Sequence, residues 1–254
     1  MAANHATPAL PDLPFVIGHR GAAAHAPENT LAGLGAADAL GVRWVEVDVH
    51  LTRDGVPVLM HDPTLDRTTS GRGHVAQRTY DEVFELDAGS WFGAEFDEEK
   101  VPRLDVAVQF AVERGLGMNV ELKPAPGLAE PLARAVFDCL EATWPRSADP
   151  PLLSSFDRDV LAALGSIGLK YPLGYLSKTL ARGWREEAAA LGCRSVHVNH
   201  KNLNAKRAKA VKSAGFALLA YTVNERRRAE TLAEWGVDAV FSDAPDTTMP
   251  LDDK

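Results

Sequence analysis

Cysteine is scarce in this 254-residue sequence, and no long apolar run is present. The two cysteines, Cys139 and Cys193, have neither a CxxC nor a zinc-like spacing, so we interpret them as buried apolar residues. No apolar run approaches the roughly 18 residues that a membrane span requires. The stretch MAANHATPALPDLP has neither the basic start nor the apolar centre of a signal peptide. These absences predict a cytoplasmic protein without a membrane span.

Positive charge is also in short supply. The sequence carries 27 Lys and Arg against 35 Asp and Glu, which gives a formal net charge of −8. Because surfaces that bind nucleic acid are usually basic, this balance argues against a nucleic-acid-binding protein. It does not exclude an anionic small substrate, since a local cluster of Lys and Arg can outweigh the global charge.

Short β-rich segments alternate with amphipathic segments along the chain. The eight predicted strands are Phe15–Gly18, Arg43–Leu51, Gly117–Lys123, Pro151–Phe156, Tyr171–Leu176, Ser195–His200, Phe216–Val223 and Asp238–Asp243. Alternation of this kind predicts parallel pairing, and at this length it predicts a TIM (β/α)₈ barrel in a single domain, residues 1–254. An open doubly wound sheet is the alternative.

One stretch interrupts the alternation, from Thr52 to about Val101. It begins with a turn at Asp54 and Gly55 that is typical of a hairpin. We interpret residues 52–101 as a small insertion after the second strand. It would lie on the face where barrels place their active sites.

Polar and apolar residues alternate strictly in the second predicted strand, WVEVDVH. Glu46 and Asp48 share one face of this strand, and three valines share the other. In a barrel the valines would face the helices, so the two carboxylates would point inward. Burying a carboxylate is costly unless a cation or hydrogen bonds compensate it.

The third predicted strand, MNVELKP, repeats this arrangement, because Glu121 and Lys123 share one face. Three carboxylates near strand ends, with few nitrogen or sulfur ligands beside them, suit one hard cation such as Mg²⁺ or Ca²⁺. Two alternatives stay open. The acids can be solvated on a surface strand of an antiparallel sheet, and Lys123 can form a structural ion pair with Glu121.

Two histidines follow apolar runs at predicted strand ends. His19 ends the first strand in VIGHRG, and His61 follows the run VPVLM. Two imidazoles beside a metal can share proton abstraction and leaving-group protonation near neutral pH. Arg20 is suited to a bidentate grip on a phosphate or carboxylate. Together with Lys123 these residues predict hydrolysis of a phosphate ester, whereas His25 in the same stretch has no role that its surroundings support.

Five successive segments resemble the motifs of the glycerophosphodiester phosphodiesterase family. They are HRGAAAHAPENTL, EVDVHLTRDGVPVLMHDPTLDRTT, NVELKP, LLSSF and YTVN, in the order of that family. The resemblance covers essentially the whole chain after Phe15, and LGCRSVHVNHKNLN is similar to its cytosolic bacterial branch. It implies a TIM barrel with a small insertion after the second strand.

The resemblance also implies an activity, namely metal-dependent hydrolysis of glycerophosphodiesters to sn-glycerol 3-phosphate and an alcohol. Glycerophosphocholine and glycerophosphoethanolamine are substrates of this class. Matched position by position, the implied roles are metal ligand for Glu46, Asp48 and Glu121, general acid or base for His19 and His61, and phosphate contact for Arg20 and Lys123.

Three further residues are candidates for the substrate site. Glu28 matches a supporting acid near the metal, and Tyr221 stands where many members of the family have Trp. Phe156 ends the fourth predicted strand, where it either lines the pocket or belongs to the core.

Two rival functions remain. A zinc-dependent amidohydrolase on the same barrel usually needs an HxH pair on the first strand, which GHRG lacks. A non-catalytic phosphate-binding barrel would not need both His19 and His61. The sequence leaves the oligomeric state open, a homo-oligomer included.

Overall fold

A sheet of nine strands forms the centre of the computed structural model, which describes residues 8–168 and 170–249. The strands are β1 (Val16–Gly18), β2 (Trp44–Leu51), β3 (Pro57–Leu59), β4 (Gly117–Leu122), β5 (Leu152–Ser155), β6 (Leu173–Ser177), β7 (Ser195–Asn199), β8 (Ala217–Tyr221) and β9 (Ala239–Ser242). Except for β3 they pair in parallel, and β1 pairs with both β9 and β2, which closes a barrel of eight strands. The predicted TIM barrel is confirmed, and the open doubly wound sheet is wrong.

Every predicted barrel strand is present, with its ends within two residues of the predicted ones. Residues 1–7 and 250–254 of the predicted single domain lie outside the described residues. No helix within the described ranges is long and apolar enough to cross a membrane.

Helices surround the barrel between successive strands. They are α1 (Leu31–Ala39), α2 (Tyr80–Phe84), α3 (Leu104–Glu113), α4 (Ala129–Thr143), α5 (Arg158–Ile167), α6 (Trp184–Ala190), α7 (Ala205–Ser213), α8 (Arg226–Glu234) and α9 (Pro245–Thr248). Side-chain caps begin several of them, because the first backbone N–H groups of a helix lack partners within it. Thr30 caps α1 in this way and Asp157 caps α5.

The two faces of β2 lie in different environments. Val45, Val47 and Val49 are fully buried in the main core, between the barrel and its helices. The opposite face points into the barrel, where Trp44 belongs to a separate apolar cluster. Gly117 makes room for this ring, since a Cβ there would lie 2.1 Å from the Trp44 indole. The interior is therefore apolar at this level, and its polar residues lie nearer the carboxyl ends of the strands.

The insertion starts with the predicted hairpin. β3 runs antiparallel to β2, and α2 and two short 3₁₀ helices, Val75–Gln77 and Ala94–Phe96, follow before α3. Its apolar residues form a small core of their own, made of Val58, Met60, Leu65, Val75, Val83, Ala88 and Val101. This core holds the residues that follow β3 against the mouth of the barrel.

Candidate active site

A cavity of about 540 Å³ opens at the carboxyl ends of the barrel strands. Eight of the predicted site residues line it: His19, Arg20, Glu46, His61, Glu121, Lys123, Phe156 and Tyr221. The two others, Asp48 and Glu28, lie behind this wall, where each contacts Arg20. His25 does not line the cavity, and its Nε2 instead lies 2.7 Å from Oδ1 of Asp246.

Three carboxylates meet on one side of the cavity. In the parallel pair β2 and β4, Asp48 is opposite Glu121, and Glu46 is one pleat below on the same face of β2. One oxygen from each of the three lies within 4.8 Å of the others. Their burial and the parallel pairing contradict the alternative of solvated acids on an antiparallel surface strand. Such a group could hold a metal ion.

Two cations compensate this acidic group. Nζ of Lys123 lies 3.1 Å from Oε1 of Glu121 and 3.2 Å from Oδ1 of Asp48. Nε of Arg20 lies 3.2 Å from Oδ2 of Asp48. The ion pair between Lys123 and Glu121 that the sequence left open is therefore present.

The three carboxyl groups differ in proton affinity although they are neighbours. Burial alone would raise the pKa of Asp48, but the charges of Lys123 and Arg20 outweigh burial and lower it to about 2. Burial and the charge of Asp48 raise the pKa of Glu46 and that of Glu121. Because metal binding displaces protons from its ligands, this cluster is suited to exchange protons for a cation.

The donor set fits a hard divalent ion. Oε1 of Glu46 is buried and has no hydrogen-bond partner among the described residues. A buried polar atom without a partner costs free energy, which a bound cation would offset. All three ligand side chains offer oxygen, the donor that Mg²⁺ and Ca²⁺ prefer.

His19 follows β1 and is held by an acid from the other end of the chain. Its Nδ1 lies 2.6 Å from Oδ1 of Asp243, and its Nε2 lies 3.8 Å from Oε2 of Glu46. The Nδ2 amide of Asn224 donates to the second oxygen of Asp243 at 2.8 Å. Sequence reasoning missed Asp243, and the signal for it was an acid at the end of the eighth predicted strand, in VFSD.

His61 has a similar arrangement. Its Nδ1 lies 2.7 Å from Oδ1 of Asp62, and Arg67 binds both oxygens of Asp62. Burial lowers the pKa of His61, although the charge of Asp48 opposes this effect. Both histidines therefore have a carboxylate at Nδ1, which leaves Nε2 for chemistry.

Arg20 sits in a strained loop. Its φ of 53° lies in the left-handed region, which is rare for a residue with a side chain. This conformation lets its backbone N–H donate to Oε2 of Glu46 at 3.0 Å, while Nη1 donates to Oε1 of Glu28 at 2.8 Å. Gly21 follows with a φ of 88°, and a Cβ there would lie 2.4 Å from the backbone of Gly33.

Asn29 is a second residue that sequence reasoning missed. Its Nδ2 donates to Oδ2 of Asp48 at 2.9 Å, and its Oδ1 accepts from the backbone N–H of Asp48 at 3.0 Å. Asn29 is buried and has a φ of 57°, a conformation that Asn tolerates better than most residues. It fixes the orientation of one member of the carboxylate group.

Two aromatic side chains, Phe156 and Tyr221, also line the cavity. The rings of Phe156 and Tyr221 contact each other edge to face, with centroids 5.9 Å apart. Of the two options left open for Phe156, the structure shows the pocket-lining one. His197 is a fully buried residue of the cavity lining, and burial lowers its pKa to about 3, so it is neutral.

Comparison with known proteins defines the class to which this fold and site belong. Residues 19–247 match the Glycerophosphoryl diester phosphodiesterase family. A glycerophosphodiester phosphodiesterase of Caldanaerobacter subterraneus is 33% identical over 247 residues, covering 93% of this chain and 97% of that protein. The chain therefore belongs to the glycerophosphoryl diester phosphodiesterase family, and the predicted class, a phosphoric diester hydrolase, is confirmed.

Solved structures give the same result. A phosphodiesterase from Oleispira antarctica, in complex with its product sn-glycerol-3-phosphate, superposes with a TM-score of 0.90 and 39% identity, covering 93% of this chain and 95% of that one. A glycerophosphodiester phosphodiesterase from Agrobacterium tumefaciens has a TM-score of 0.77 and 28% identity, covering 93% and 99% of the two chains.

Proposed function

We propose that this enzyme hydrolyses glycerophosphodiesters such as glycerophosphocholine or glycerophosphoethanolamine. The products are sn-glycerol 3-phosphate and an alcohol, and His19 and His61 act as the acid–base pair. The observation that carries the proposal is the placement of both imidazoles, each held at Nδ1 by a carboxylate, in one cavity with the acidic group. The Oleispira relative with bound sn-glycerol-3-phosphate supports the choice of product.

The cofactor in this proposal is one divalent ion, Mg²⁺ or Ca²⁺. Glu46, Asp48 and Glu121 would hold it, and it would supply positive charge to a phosphoryl oxygen. The oxygen-only donor set and the unpartnered Oε1 of Glu46 support this assignment.

The two histidines divide the proton transfers. One takes the proton from the attacking nucleophile, either water or the glycerol hydroxyl of the substrate, and the other gives a proton to the departing alkoxide, a pair of roles suited to imidazoles near neutral pH. Asp243 and Asp62 keep the proton of each neutral ring on Nδ1, since a carboxylate can only accept. The ring that acts as base accepts a proton at Nε2, and the ring that acts as acid is the imidazolium form, which carries a second proton on Nε2 and delivers it.

Arg20 and Lys123 neutralise the phosphate. Arg20 already donates to Glu28 and contacts Asp48, so its side chain is oriented before substrate binds. Lys123 is paired with Asp48 and Glu121, and a cation on those acids would release its ammonium group for a phosphoryl oxygen. Fixed positive charge of this kind stabilises the charge that develops in the transition state.

The substrate pocket also includes aromatic side chains. Phe156 and Tyr221 add two aromatic rings to the lining of the cavity, whose volume of about 540 Å³ leaves room for a small alcohol. Glu28, which the sequence assigned to the substrate site, would act there through the guanidinium of Arg20. The cytoplasmic location stays a prediction of the sequence, and the oligomeric state stays open.

A direct assay tests this proposal. Purified protein is incubated with glycerophosphocholine after EDTA treatment and then with added Mg²⁺ or Ca²⁺, and released choline and sn-glycerol 3-phosphate are measured. We expect turnover that EDTA stops and a divalent ion restores. Binding without turnover under every condition would favour the phosphate-binding barrel, and turnover of an amide substrate with Zn²⁺ alone would favour the amidohydrolase.

A further inference from the structure

Arg67 lies in the insertion and binds two carboxylates at once. Its Nε and Nη2 donate to the two oxygens of Asp62 at 2.7 and 3.1 Å. Its Nη1 and Nη2 donate to the two oxygens of Glu28, each at 2.8 Å. A planar guanidinium can form two such forks together, whereas a lysine ammonium cannot.

Each of the two carboxylates also contacts a residue of the proposed chemistry. Oδ1 of Asp62 lies 2.7 Å from Nδ1 of His61, and Oε1 of Glu28 accepts from Nη1 of Arg20 at 2.8 Å. Arg67 is therefore the middle of a continuous line of polar contacts. The line joins His61, the proposed proton carrier that follows β3, to Arg20, the proposed phosphate contact that follows β1.

This line has little to do with stability. The Arg67 side chain is 44% exposed, and exposed ion pairs contribute little to the free energy of unfolding. The contacts of Arg67 have a larger effect on the orientation of the Asp62 and Glu28 carboxylates. Without Arg67, Asp62 keeps only His61 as a side-chain partner among the described residues, and Glu28 keeps only Arg20. Both carboxylates would then be free to rotate.

We propose that Arg67 is a positioning residue, which holds His61 and Arg20 in a fixed relation so that both reach the same phosphodiester. The inference rests on the proposed function. Arg67 touches neither reacting atom and acts through Asp62 and Glu28. The effect of losing it can be large, because misplacement of a catalytic group by about 1 Å costs on the order of 10²-fold in rate.

The first test compares Arg67→Gln with Arg53→Gln. Arg53 is a matched control because it lies in the same insertion and pairs with Glu82 outside the cavity. We expect R67Q to lower kcat for glycerophosphocholine about 10- to 100-fold, with a smaller rise in KM and an unchanged circular dichroism spectrum. We expect R53Q to match the wild type. Equal kcat values for R67Q and R53Q would overturn the inference.

A second comparison separates positioning from a general structural role. In a background that carries both D62N and E28Q, R67Q should reduce kcat by less than about twofold further, because the carboxylates through which it acts have lost their charge. A structural role would produce the same fractional loss in both backgrounds, and that result would also overturn the inference.

NMR of the His61 imidazole gives a readout that does not depend on turnover. In the wild type we expect the neutral ring to carry its proton on Nδ1, and in R67Q we expect a growing share of the Nε2–H tautomer as Asp62 moves away. R53Q should keep the wild-type spectrum. An inactive wild-type protein would reject the proposed function, and the tautomer of His61 would then decide the inference. A His61 tautomer that R67Q leaves unchanged contradicts it.

Discussion

Asp243 lies at the end of β9 with its Oδ1 2.6 Å from Nδ1 of His19, a residue 224 positions earlier in the chain. Because β1 and β9 are neighbours in the closed barrel, this contact exists only once the first and last strands have paired. Asn224 holds the second carboxylate oxygen. Closure of the barrel therefore assembles one half of the proposed acid–base pair and fixes its orientation.

The first prediction concerns this contact. Asp243→Asn removes the charge and presents an amide to Nδ1, which allows the His19 ring to take the wrong tautomer. We expect kcat for glycerophosphocholine to fall about 10²-fold or more, the scale of acid–base catalysis, with an unchanged fold by circular dichroism. Asp246→Asn is the matched control, because Asp246 pairs with His25 outside the cavity. Equal activities of the two variants would contradict the role of Asp243.

A second prediction follows from Asn29, which holds Asp48 through two hydrogen bonds. Asn29→Ala removes both and leaves a buried carboxylate oxygen less well satisfied. We expect affinity for Mg²⁺ or Ca²⁺ to fall about 10- to 100-fold, as when residues that orient metal ligands are changed. Isothermal titration calorimetry measures this directly. The control is Asn204→Ala, since Asn204 caps α7 outside the cavity, and that variant should bind metal as the wild type does.

A third prediction concerns stability without metal. Burial and the charge of Asp48 raise the pKa of Glu121 from 4.5 to about 7. A group with a raised pKa stabilises the fold when protonated, so this contribution is lost as pH rises from about 4.5 through 7. In EDTA at pH 8, Glu121→Gln should therefore raise the melting temperature.

Differential scanning fluorimetry with and without a divalent ion checks the direction of this change in melting temperature. Added Mg²⁺ or Ca²⁺ should raise the melting temperature of the wild type more than that of E121Q, because binding to the folded state stabilises it. The exposed helix residue Glu113 supplies the control variant, E113Q, which should show neither effect. A lower melting temperature for E121Q than for the wild type in EDTA at pH 8 would contradict the prediction that the charge of Glu121 destabilises the metal-free fold.

Most of the barrel was predictable from the sequence, because its period-two alternation is strong. The valines of β2 pack against helices while Glu46 and Asp48 face inward, as the pattern predicts. The turn at Asp54 and Gly55 likewise predicted the hairpin of β2 and β3. Where strand ends differed from the predicted ones, they did so by one or two residues, since hydrogen bonding at strand ends depends on neighbouring strands and not on local composition.

The residues that hold the catalytic groups were not predictable in the same way. Asp243 and Asn29 act at long range in sequence, on His19 and on Asp48, and no local pattern links either residue to its partner. Arg67 lies in an irregular insertion, where no periodicity indicates which way a side chain points. Individual side-chain contacts of this kind require the closed barrel and the packed insertion.

The measurement that tests the account most directly is kcat for glycerophosphocholine in His19→Ala and His61→Ala, each supplied with a saturating divalent ion. Circular dichroism and metal titration confirm that both variants fold and bind the ion. The account predicts that each substitution lowers kcat by about 10²-fold or more while the wild type releases choline and sn-glycerol 3-phosphate. Folded, metal-bound variants that hydrolyse the diester at nearly the wild-type rate would contradict it.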